Sequence, residues 1–354
     1  MRHLSLLLLL ATFAPVRAEE PANYPPPVQV KAAFLKLLDR PRVDPAVKSD
    51  SPQKLPDGFT LEHLTFASEK KTDGTYERVP MLILKPAGAE GKLPAVIVLH
   101  GTGGSMNGMI PVMKELARHN IIGVAIDARY HGERAGGAKG AAAYNQAITR
   151  AWRTKADEPM EHPFYYDTCW DLWRALDVLV ARDDIDGKRL GMIGFSMGGI
   201  ETWLAAAVDE RIRVAVPAIG VQSFRYSLEH DEWQGRANTI KQAHDAAARD
   251  LGEAMVNQKV CRALWGKIIP GILDQFDCPS MLRLFAGRSL LILNGSMDPN
   301  CPYGGAKLAI ASADRAFHEA KADDRLRVII APVGHTVTSE QRAAALEWFQ
   351  RWLK

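Results

Sequence analysis

Leu190–Ile200, LGMIGFSMGGI, decides the fold of this chain, because it joins a short apolar strand to an apolar helical pattern. Between them stands the pentapeptide GFSMG at positions 194–198, a G-x-S-x-G motif in strand–turn–helix context. The backbones before and after such a turn nearly touch, so Gly194 and Gly198 have to lack a β-carbon. The motif predicts Ser196 as a nucleophile exposed at the sheet edge, where the helix N-terminus favours negative charge. The alternative is a glycine-rich turn with an incidental serine.

A serine nucleophile needs a base, and the base needs a carboxylate that orients it. Two downstream apolar runs, Ser289–Asn294 and Leu326–Ala331, are typical of buried strands. Asp298 follows the first run and His335 follows the second. The order Ser, Asp, His is that of one particular fold, and parallel sheets gather catalytic groups at the carboxyl ends of their strands. The sequence therefore predicts a triad of Ser196, Asp298 and His335.

Each of these assignments has a structural alternative. Asp298 precedes a proline, and Asp-Pro is a common turn. Asp274 and Asp277 compete for the role of the acid, but they precede the Ser289–Asn294 strand instead of following it. His335 would alternatively be a loop histidine with ordinary hydrogen-bond partners. Three further histidines have no place in the triad order: His318 is predicted on a helix surface, and His100 and His131 are predicted in other loops.

A third apolar strand, Leu93–His100, is followed by the glycine-rich segment GTGGS at positions 101–105. The tetrahedral intermediate of acyl transfer carries an oxyanion, which needs two fixed backbone N–H donors. The usual pair is one N–H from such a loop and the N–H after the nucleophile. We therefore predict Thr102, with Gly103 as the alternative, and Met197. A phosphate-binding loop is disfavoured, because neither a Gly-Lys-Ser/Thr ending nor a G-x-G-x-x-G spacing is present.

From Phe59 to Lys354 the chain resembles the α/β-hydrolases, and in particular the acetyl xylan esterase, dienelactone hydrolase and prolyl-oligopeptidase-like branch. Besides the motifs above, IDARYHGER at positions 126–134 resembles the D-x-R-x-x-G loop of that branch. The resemblance implies a doubly wound, mostly parallel, eight-stranded sheet with a helical lid insertion. Dienelactone hydrolases proper have cysteine where this chain has Ser196. Asp127 and Arg129 are expected to tie loops together and not to act in the chemistry.

These features favour a serine hydrolase that cleaves carboxylic esters, small or carbohydrate-linked, through an acyl-enzyme. The runner-up is a serine peptidase of the prolyl-oligopeptidase-like type, although too few residues precede the catalytic sheet for an N-terminal propeller. A catalytically silent binding protein is disfavoured, because all three triad positions are filled. No metal and no cofactor are expected, since the four cysteines match no usual zinc spacing. No oligomeric state follows from the sequence.

The first 18 residues have the pattern of a secretory signal peptide: a short basic start, an apolar run at positions 4–14 and small residues up to Ala18. The apolar run is too short to span a bilayer, so no membrane span is expected. Cleavage after Ala18 would remove Arg2 and Arg17 and lower the formal net charge from +3 to +1. A nearly neutral chain gives no argument for nucleic acid or anionic membranes. We expect a secreted or periplasmic protein.

The remaining chain is predicted to have two parts, a proline-rich arm at residues 19–56 and one catalytic domain at residues 57–354. The arm contains one amphipathic helical patch, Val28–Leu38. Strand and helix patterns alternate through the domain, as in a doubly wound sheet. Two stretches exceed ordinary loop length, residues 135–163 and residues 221–288. The second, called the insertion below, has helical patterns and is predicted to cover the serine as a lid.

Several finer expectations concern the insertion and the last helix. Phe224 and Trp233 are predicted to line the acyl or alcohol pocket, the alternative being packing between lid and core. Cys261 and Cys278 are the predicted disulfide pair if a disulfide forms, in a compartment that permits one. The last helix, residues 339–353, is predicted to bury a face of Ala343, Leu346, Phe349 and Trp352.

Overall fold

The structure is a computed structural model that describes residues 24–86 and 88–354. The predicted signal peptide at residues 1–18 lies outside the described residues. Among the residues that are described, no helix is long and apolar enough to cross a membrane.

One mixed sheet of ten strands runs through the molecule. Its strands are β1 Lys48–Ser49, β2 Gln53–Lys54, β3 Phe59–Lys70, β4 Tyr76–Pro86, β5 Leu93–Leu99, β6 Ile122–Ile126, β7 Ile185–Phe195, β8 Ile212–Ala218, β9 Ser289–Gly295 and β10 Leu326–Ala331.

The strand order is β1-β3-β4-β6-β5-β7-β8-β9-β10, and β2 also pairs with β3. All pairs from β6 to β10 are parallel, whereas β4 is antiparallel to both of its neighbours. The predicted eight strands correspond to β3–β10. The strand count is nevertheless corrected to ten, because the arm adds two-residue strands, β1 and β2, at the sheet edge.

Twelve α-helices accompany the sheet in the described part of the chain. They are α1 Pro27–Leu37, α2 Ile110–Ala117, α3 Ala142–Arg153, α4 Tyr166–Val180, α5 Met197–Val208, α6 Phe224–Glu229, α7 Gln234–Thr239, α8 Lys241–Asp250, α9 Gln258–Ile268, α10 Cys278–Leu282, α11 Tyr303–Glu319 and α12 Ser339–Trp352.

The two faces of the sheet are covered by separate apolar layers, as a parallel sheet requires. Along β5, Ile97 and Leu99 pack in one layer with α1, α4, α5 and the insertion. Val96 and Val98 point the other way and pack with α2 and α12. This alternation follows from the two-residue period of a strand, and because both faces are covered, β5 is buried at every position but one.

The helix predicted at Val28–Leu38 is observed as α1, and it belongs to the hydrophobic core. Val30 and Phe34 are fully buried. The Phe34 ring makes edge contacts with Tyr166 and Trp173 of α4 and with Phe276 of the insertion, at centroid distances of 5.3, 6.2 and 5.1 Å. The arm therefore contributes an aromatic side chain to the interface between α4 and the insertion.

Both long stretches contain helices. Residues 135–163 include α3, and the insertion includes α6 to α10. α3 packs against α8 and α9, so the two stretches meet each other beside the sheet.

The predicted disulfide between Cys261 and Cys278 is not formed: all four cysteines are free and buried. Cys261 lies within α9 and Cys278 begins α10, and both side chains are packed in the hydrophobic core. Burial raises the pKa of Cys261 to about 12, which keeps it a thiol at neutral pH.

The last helix begins where predicted but buries a different face. A capping box between Thr338 and Gln341 starts α12. Phe349 is buried as expected, and Leu346 and Trp352 are partly buried, but Ala343 is exposed. The fully buried face is Gln341, Ala344, Ala345, Trp348 and Phe349. The helical period was predicted correctly and its phase was off by one residue.

Candidate active site

Ser196 stands at the turn between β7 and α5 in a strained backbone conformation, with φ 56° and ψ −111°. A β-carbon on Gly194 would lie 2.0 Å from the carbonyl oxygen of Gly198, so the predicted close approach is present. The Ser196 N–H donates to the carbonyl of Ala218 at the end of β8, at 3.0 Å. The side chain of Ser196 is half-buried at the carboxyl edge of the sheet.

The structure brings Ser196, His335 and Asp298 together in one hydrogen-bonded chain. His335 Nε2 lies 2.7 Å from Ser196 Oγ, and His335 Nδ1 lies 2.7 Å from Asp298 Oδ2. Asp298 Oδ1 accepts the backbone N–H groups of Asn300 and Cys301 at 2.8 and 3.2 Å. A carboxylate only accepts, so Nδ1 carries the proton and Nε2 is left to accept from the serine hydroxyl. In this arrangement the histidine can act as a base towards the serine.

The acid loop, residues 296–302, and the loop that carries His335 are joined by their backbones. The Ser296 N–H donates to the carbonyl of Ala331 at 2.8 Å, and the Met297 N–H donates to that of Val333 at 3.1 Å. These bonds continue the parallel pairing of β9 and β10 beyond the strands. They set the distance between the two loops, and so the distance between the acid and the base.

The predicted oxyanion loop runs directly beside the serine. A β-carbon on Gly101 would lie 3.5 Å from Ser196 Cβ. The Gly101 carbonyl accepts the Gly104 N–H at 3.0 Å and faces His100 Nδ1 at 2.8 Å. In a trans peptide the C=O and the following N–H point in opposite directions, so the N–H of Thr102 points away from this carbonyl's partners. Met197 is the first residue of α5, and the first N–H groups of a helix have no intrahelical acceptor.

His100 is a supporting residue that sequence reasoning assigned only to a loop. It is 1% exposed, its Nε2 accepts the Ala128 N–H at 3.2 Å, and its carbonyl accepts the Gly198 N–H at 3.1 Å. Burial lowers the pKa of His100, so the ring is neutral and donates from Nδ1 to Gly101. The signal in the sequence is its place at a strand end, immediately before the glycine-rich segment.

Asp127 and Arg129 tie loops together, as the sequence predicted. Asp127 accepts the backbone N–H groups of Met106 and Glu133 at 2.7 and 2.8 Å. The Arg129 guanidinium forms a two-pronged pair with Asp171 at 2.7 and 3.0 Å. Although burial alone would raise the pKa of Asp171, the nearby arginines lower it well below its usual range.

The competing acid Asp277 lies elsewhere, at the N-terminus of α10. It accepts the Phe224 N–H at 2.8 Å and the Ser223 hydroxyl, and thereby ties α6 to α10. Burial raises its pKa to about 6, against the lowering effect of these hydrogen bonds. Asp277 therefore holds two helices of the insertion together.

The two predicted pocket residues differ in position. Phe224 is fully buried and packs edge-on against Trp265 at a centroid distance of 5.4 Å. This location favours the alternative role of Phe224, packing between lid and core. Trp233 is half-buried, and its Nε1 donates to Asp231 at 2.8 Å. Trp233 remains the predicted pocket residue.

Among the described residues, the one group of potential metal ligands that lie close together consists of Cys301 and two triad residues. One ligand atom each of Asp298, Cys301 and His335 lies within 4.8 Å of the other two. Burial raises the pKa of Cys301 to about 12, whereas metal binding requires the thiolate. The Cys301 thiol also donates to the carbonyl of Ile219 at 3.2 Å. The arrangement fits a hydrogen-bonded relay better than a metal site.

Comparisons with known proteins find similar hydrolases. Residues 57–225 match the family model of acetyl xylan esterase (AXE1). The Bacillus subtilis (strain 168) protein named "Putative hydrolase YtaP" is 26% identical over 291 residues, which are 78% of this chain and 85% of that protein.

Solved structures show the same fold. Acetyl xylan esterase 1 from Thermoanaerobacterium sp. JW/SL YS485 superposes with a TM-score of 0.65 at 21% identity, over 94% of this chain and 96% of that chain. A glucuronoyl esterase from Solibacter usitatus superposes with a TM-score of 0.62 at 16% identity, over 90% and 91% of the two chains. The chain has the α/β-hydrolase fold and is similar to the acetyl xylan esterases, which are carboxylic ester hydrolases.

Proposed function

We propose that this protein is a secreted serine esterase that removes short acyl groups from carbohydrate esters through an acyl-enzyme on Ser196. The observation that carries the proposal is the continuous relay from Ser196 Oγ to His335 and on to Asp298, with 2.7 Å at both steps. Such a relay supplies the base that a serine hydroxyl needs at neutral pH.

In the proposed reaction, Ser196 Oγ attacks the ester carbonyl while its proton passes to His335 Nε2. Asp298 holds the ring and stabilises the imidazolium that forms. The proton then passes to the departing alkoxide, and the alcohol leaves. A water molecule attacks the acyl-enzyme with His335 again as base, which releases the acid and restores the serine.

The backbone N–H groups of Thr102 and Met197 are the proposed donors that stabilise the negative charge developing on the carbonyl oxygen. The position of Gly101 beside Ser196, and its carbonyl held towards His100 and Gly104, support Thr102 in this role. The first N–H of α5 supports Met197, since the helix N-terminus also favours an anion. Fixed donors of this kind cost no reorganisation when the charge appears.

Acetylated carbohydrate is the proposed substrate class. The match to the acetyl xylan esterase family over residues 57–225 supports it. The test is a substrate panel of acetylated xylo-oligosaccharides, acetylated monosaccharides, feruloyl esters, methyl glucuronate esters and aminoacyl anilides. We expect the highest kcat/KM for acetate release from the acetylated sugars, and no activity in a Ser196→Ala control. Cleavage of the anilides alone would instead favour the peptidase interpretation.

The acyl-enzyme and the secretion each have a direct test. Rapid quenching during turnover of an aryl acetate should trap one acetyl group on the peptide that contains Ser196. An active enzyme without any covalent intermediate would contradict this step. Protein recovered outside the cytoplasm should begin at Glu19, and a variant without residues 1–18 should stay inside the cell.

A further inference from the structure

The insertion lies directly on the loop that carries the acid of the triad. Gly235, in α7, packs so closely that a β-carbon there would lie 2.0 Å from the carbonyl oxygen of Pro299 and 2.9 Å from the nitrogen of Asn300. Helix and loop are therefore in backbone contact at this point, and any other side chain at position 235 would have to displace one of them.

Two buried polar side chains of the insertion hold the same carbonyl of the acid loop. Arg236 is 1% exposed, and its Nη2 donates to the carbonyl of Asn300 at 2.9 Å. Gln222 is fully buried. The amide of Gln222 is oriented with its nitrogen towards the Asn300 carbonyl and its oxygen towards Arg236. It then donates to that carbonyl at 2.9 Å and accepts from Arg236 Nε at 3.0 Å. The Asn300 carbonyl thus receives two donors, one of them charged.

The peptide group that is held in this way also binds the acid. Its carbonyl belongs to Asn300, and its N–H belongs to Cys301 and donates to Asp298 Oδ1 at 3.2 Å. Because the peptide is planar and trans, fixing the direction of the carbonyl fixes the direction of the N–H. Arg236 Nη2 also lies 3.3 Å from the Cys301 sulfur.

The charge of Arg236 is maintained by its surroundings. Burial would lower the pKa of Arg236, but Tyr165, Cys301 and Asp298 outweigh that effect and raise it. A guanidinium buried this completely needs acceptors in fixed positions, because an unpaired buried charge is costly. The acid loop supplies one such acceptor in the Asn300 carbonyl.

We infer that Arg236 and Gln222 are positioning residues, which hold the Asn300–Cys301 peptide and through it the carboxylate of Asp298. The inference rests on the proposed triad. It gives the insertion a role in the chemical step in addition to any role in substrate choice.

The test compares four variants with the wild type on a small aryl acetate: Arg236→Met, Arg236→Lys, Gln222→Met and Arg225→Met. Arg225 is the matched control, since its Nε donates to the carbonyl of Leu273 within the insertion itself, at 2.9 Å. We expect Arg236→Met and Gln222→Met to lower kcat by roughly tenfold or more, with KM within about twofold. Arg236→Lys, which keeps the charge, should recover part of the loss, and the control should match the wild type.

A double-mutant cycle with Asp298→Ala separates positioning from a general loss of structure. If Arg236 acts through Asp298, adding Arg236→Met to Asp298→Ala should lower kcat no further. The inference would be overturned, with the triad left intact, if the losses in kcat from Arg236→Met and Asp298→Ala multiplied in the double variant. It would also be overturned if kcat were unchanged in both Arg236→Met and Gln222→Met. Full activity of Asp298→Ala would overturn the proposed triad and the inference together. If Arg236→Met does not fold, the same double-mutant cycle with Asp298→Ala is measured with Gln222→Met and Arg236→Lys.

Discussion

Two neighbouring strand ends beside the triad have a strained backbone. Ser196 after β7 and Ile219 after β8 both have positive φ, at 56° and 45°, which is costly for a residue with a β-carbon and most of all for a β-branched one. Hydrogen bonds hold both: Ser196 N–H to Ala218, and Ile219 N–H to Leu293 at 2.6 Å. The strain at Ser196 is what points the hydroxyl towards His335.

Substitutions at the three triad positions should each lower kcat strongly. Ser196→Ala and His335→Ala should each lower kcat on the best ester by about a thousandfold or more and to similar depth, because the triad acts as a unit. Asp298→Ala should also lower kcat strongly, whereas Asp274→Ala, the control, should not. Steady-state kinetics with a folding check by circular dichroism measures this. A loss at Asp274 larger than that at Asp298 would move the acid into the insertion.

His100 should matter for the rate and not for binding. His100→Phe keeps an aromatic ring but removes the donor to Gly101 and the acceptor for Ala128, so the predicted oxyanion loop is no longer held. We expect kcat to fall by about ten- to a hundredfold with KM little changed, since a misplaced oxyanion donor acts on the transition state. The control is His318→Phe on the exposed face of α11. Equal effects of both substitutions would contradict a specific role for His100.

The residues found from the sequence are those with a local signal. Ser196, Asp298 and His335 each follow an apolar strand, and each was placed from its own segment. Arg236 and Gln222 act on Asn300, a residue 64 positions further along the chain from Arg236, and no short-range pattern reports such a contact. Phe224 shows the limit of such patterns, since an aromatic residue in a predicted lid has the same sequence signature whether it faces a pocket or the core.

At the scale of elements, the strands were more predictable than the helices that cover them. The central strands are apolar at nearly every position, and their order along the chain is clear from the sequence alone. The helical patterns of the insertion do not show where one helix ends and the next begins: α7 and α8 meet at Ile240. The internal packing of the insertion depends on buried polar groups such as Asp277, which ties α6 to α10.

Asp277 should make the stability of the protein rise as the pH falls from 7 to 5. Its pKa is raised to about 6 in the folded protein, against about 4 in an unfolded chain, so the folded state binds the proton first. This stabilising contribution is present below the unfolded pKa and is lost as the pH rises through about 6. Relative to Asp277→Asn, the wild type should gain about 1 kcal/mol of unfolding free energy between pH 7 and pH 5. Urea titrations at both values measure it, and parallel changes in both proteins would contradict it.

Trp233 should influence which ester is preferred. It is half-buried in the insertion, next to α7, which packs on the acid loop. Trp233→Ala should change the ratio of kcat/KM between acetyl and bulky acyl esters several-fold, while a small phosphonate still labels Ser196 at the wild-type rate. Phe224→Ala is the comparison, because its buried ring predicts lost stability instead of a changed ratio. An unchanged ratio in a folded Trp233→Ala protein would show that Trp233 is a packing residue and does not contact the substrate.

At the scale of the whole molecule, the sheet edge unites parts that are far apart in sequence. Loops after β5, β7, β8, β9 and β10 meet at one edge, so the predicted oxyanion loop, nucleophile, acid and base each follow a different strand. The insertion packs on this edge through α7, and the arm packs on the insertion through Phe34 and Phe276. The resemblance to the α/β-hydrolases predicted the sheet, whereas the arm's place in the core depends on contacts between distant segments.

The arm should therefore be required for stability. Phe34 is fully buried among Tyr166, Trp173 and Phe276, so Phe34→Ala would leave a cavity between α4 and the insertion. Such a substitution typically costs about 3–5 kcal/mol of unfolding free energy. Leu35→Ala on the same helix is the matched control, because Leu35 is 37% exposed and should cost much less. Urea unfolding of both variants measures the difference. If Phe34→Ala were no more destabilising than Leu35→Ala, the arm would be an appendage whose removal leaves the catalytic domain intact.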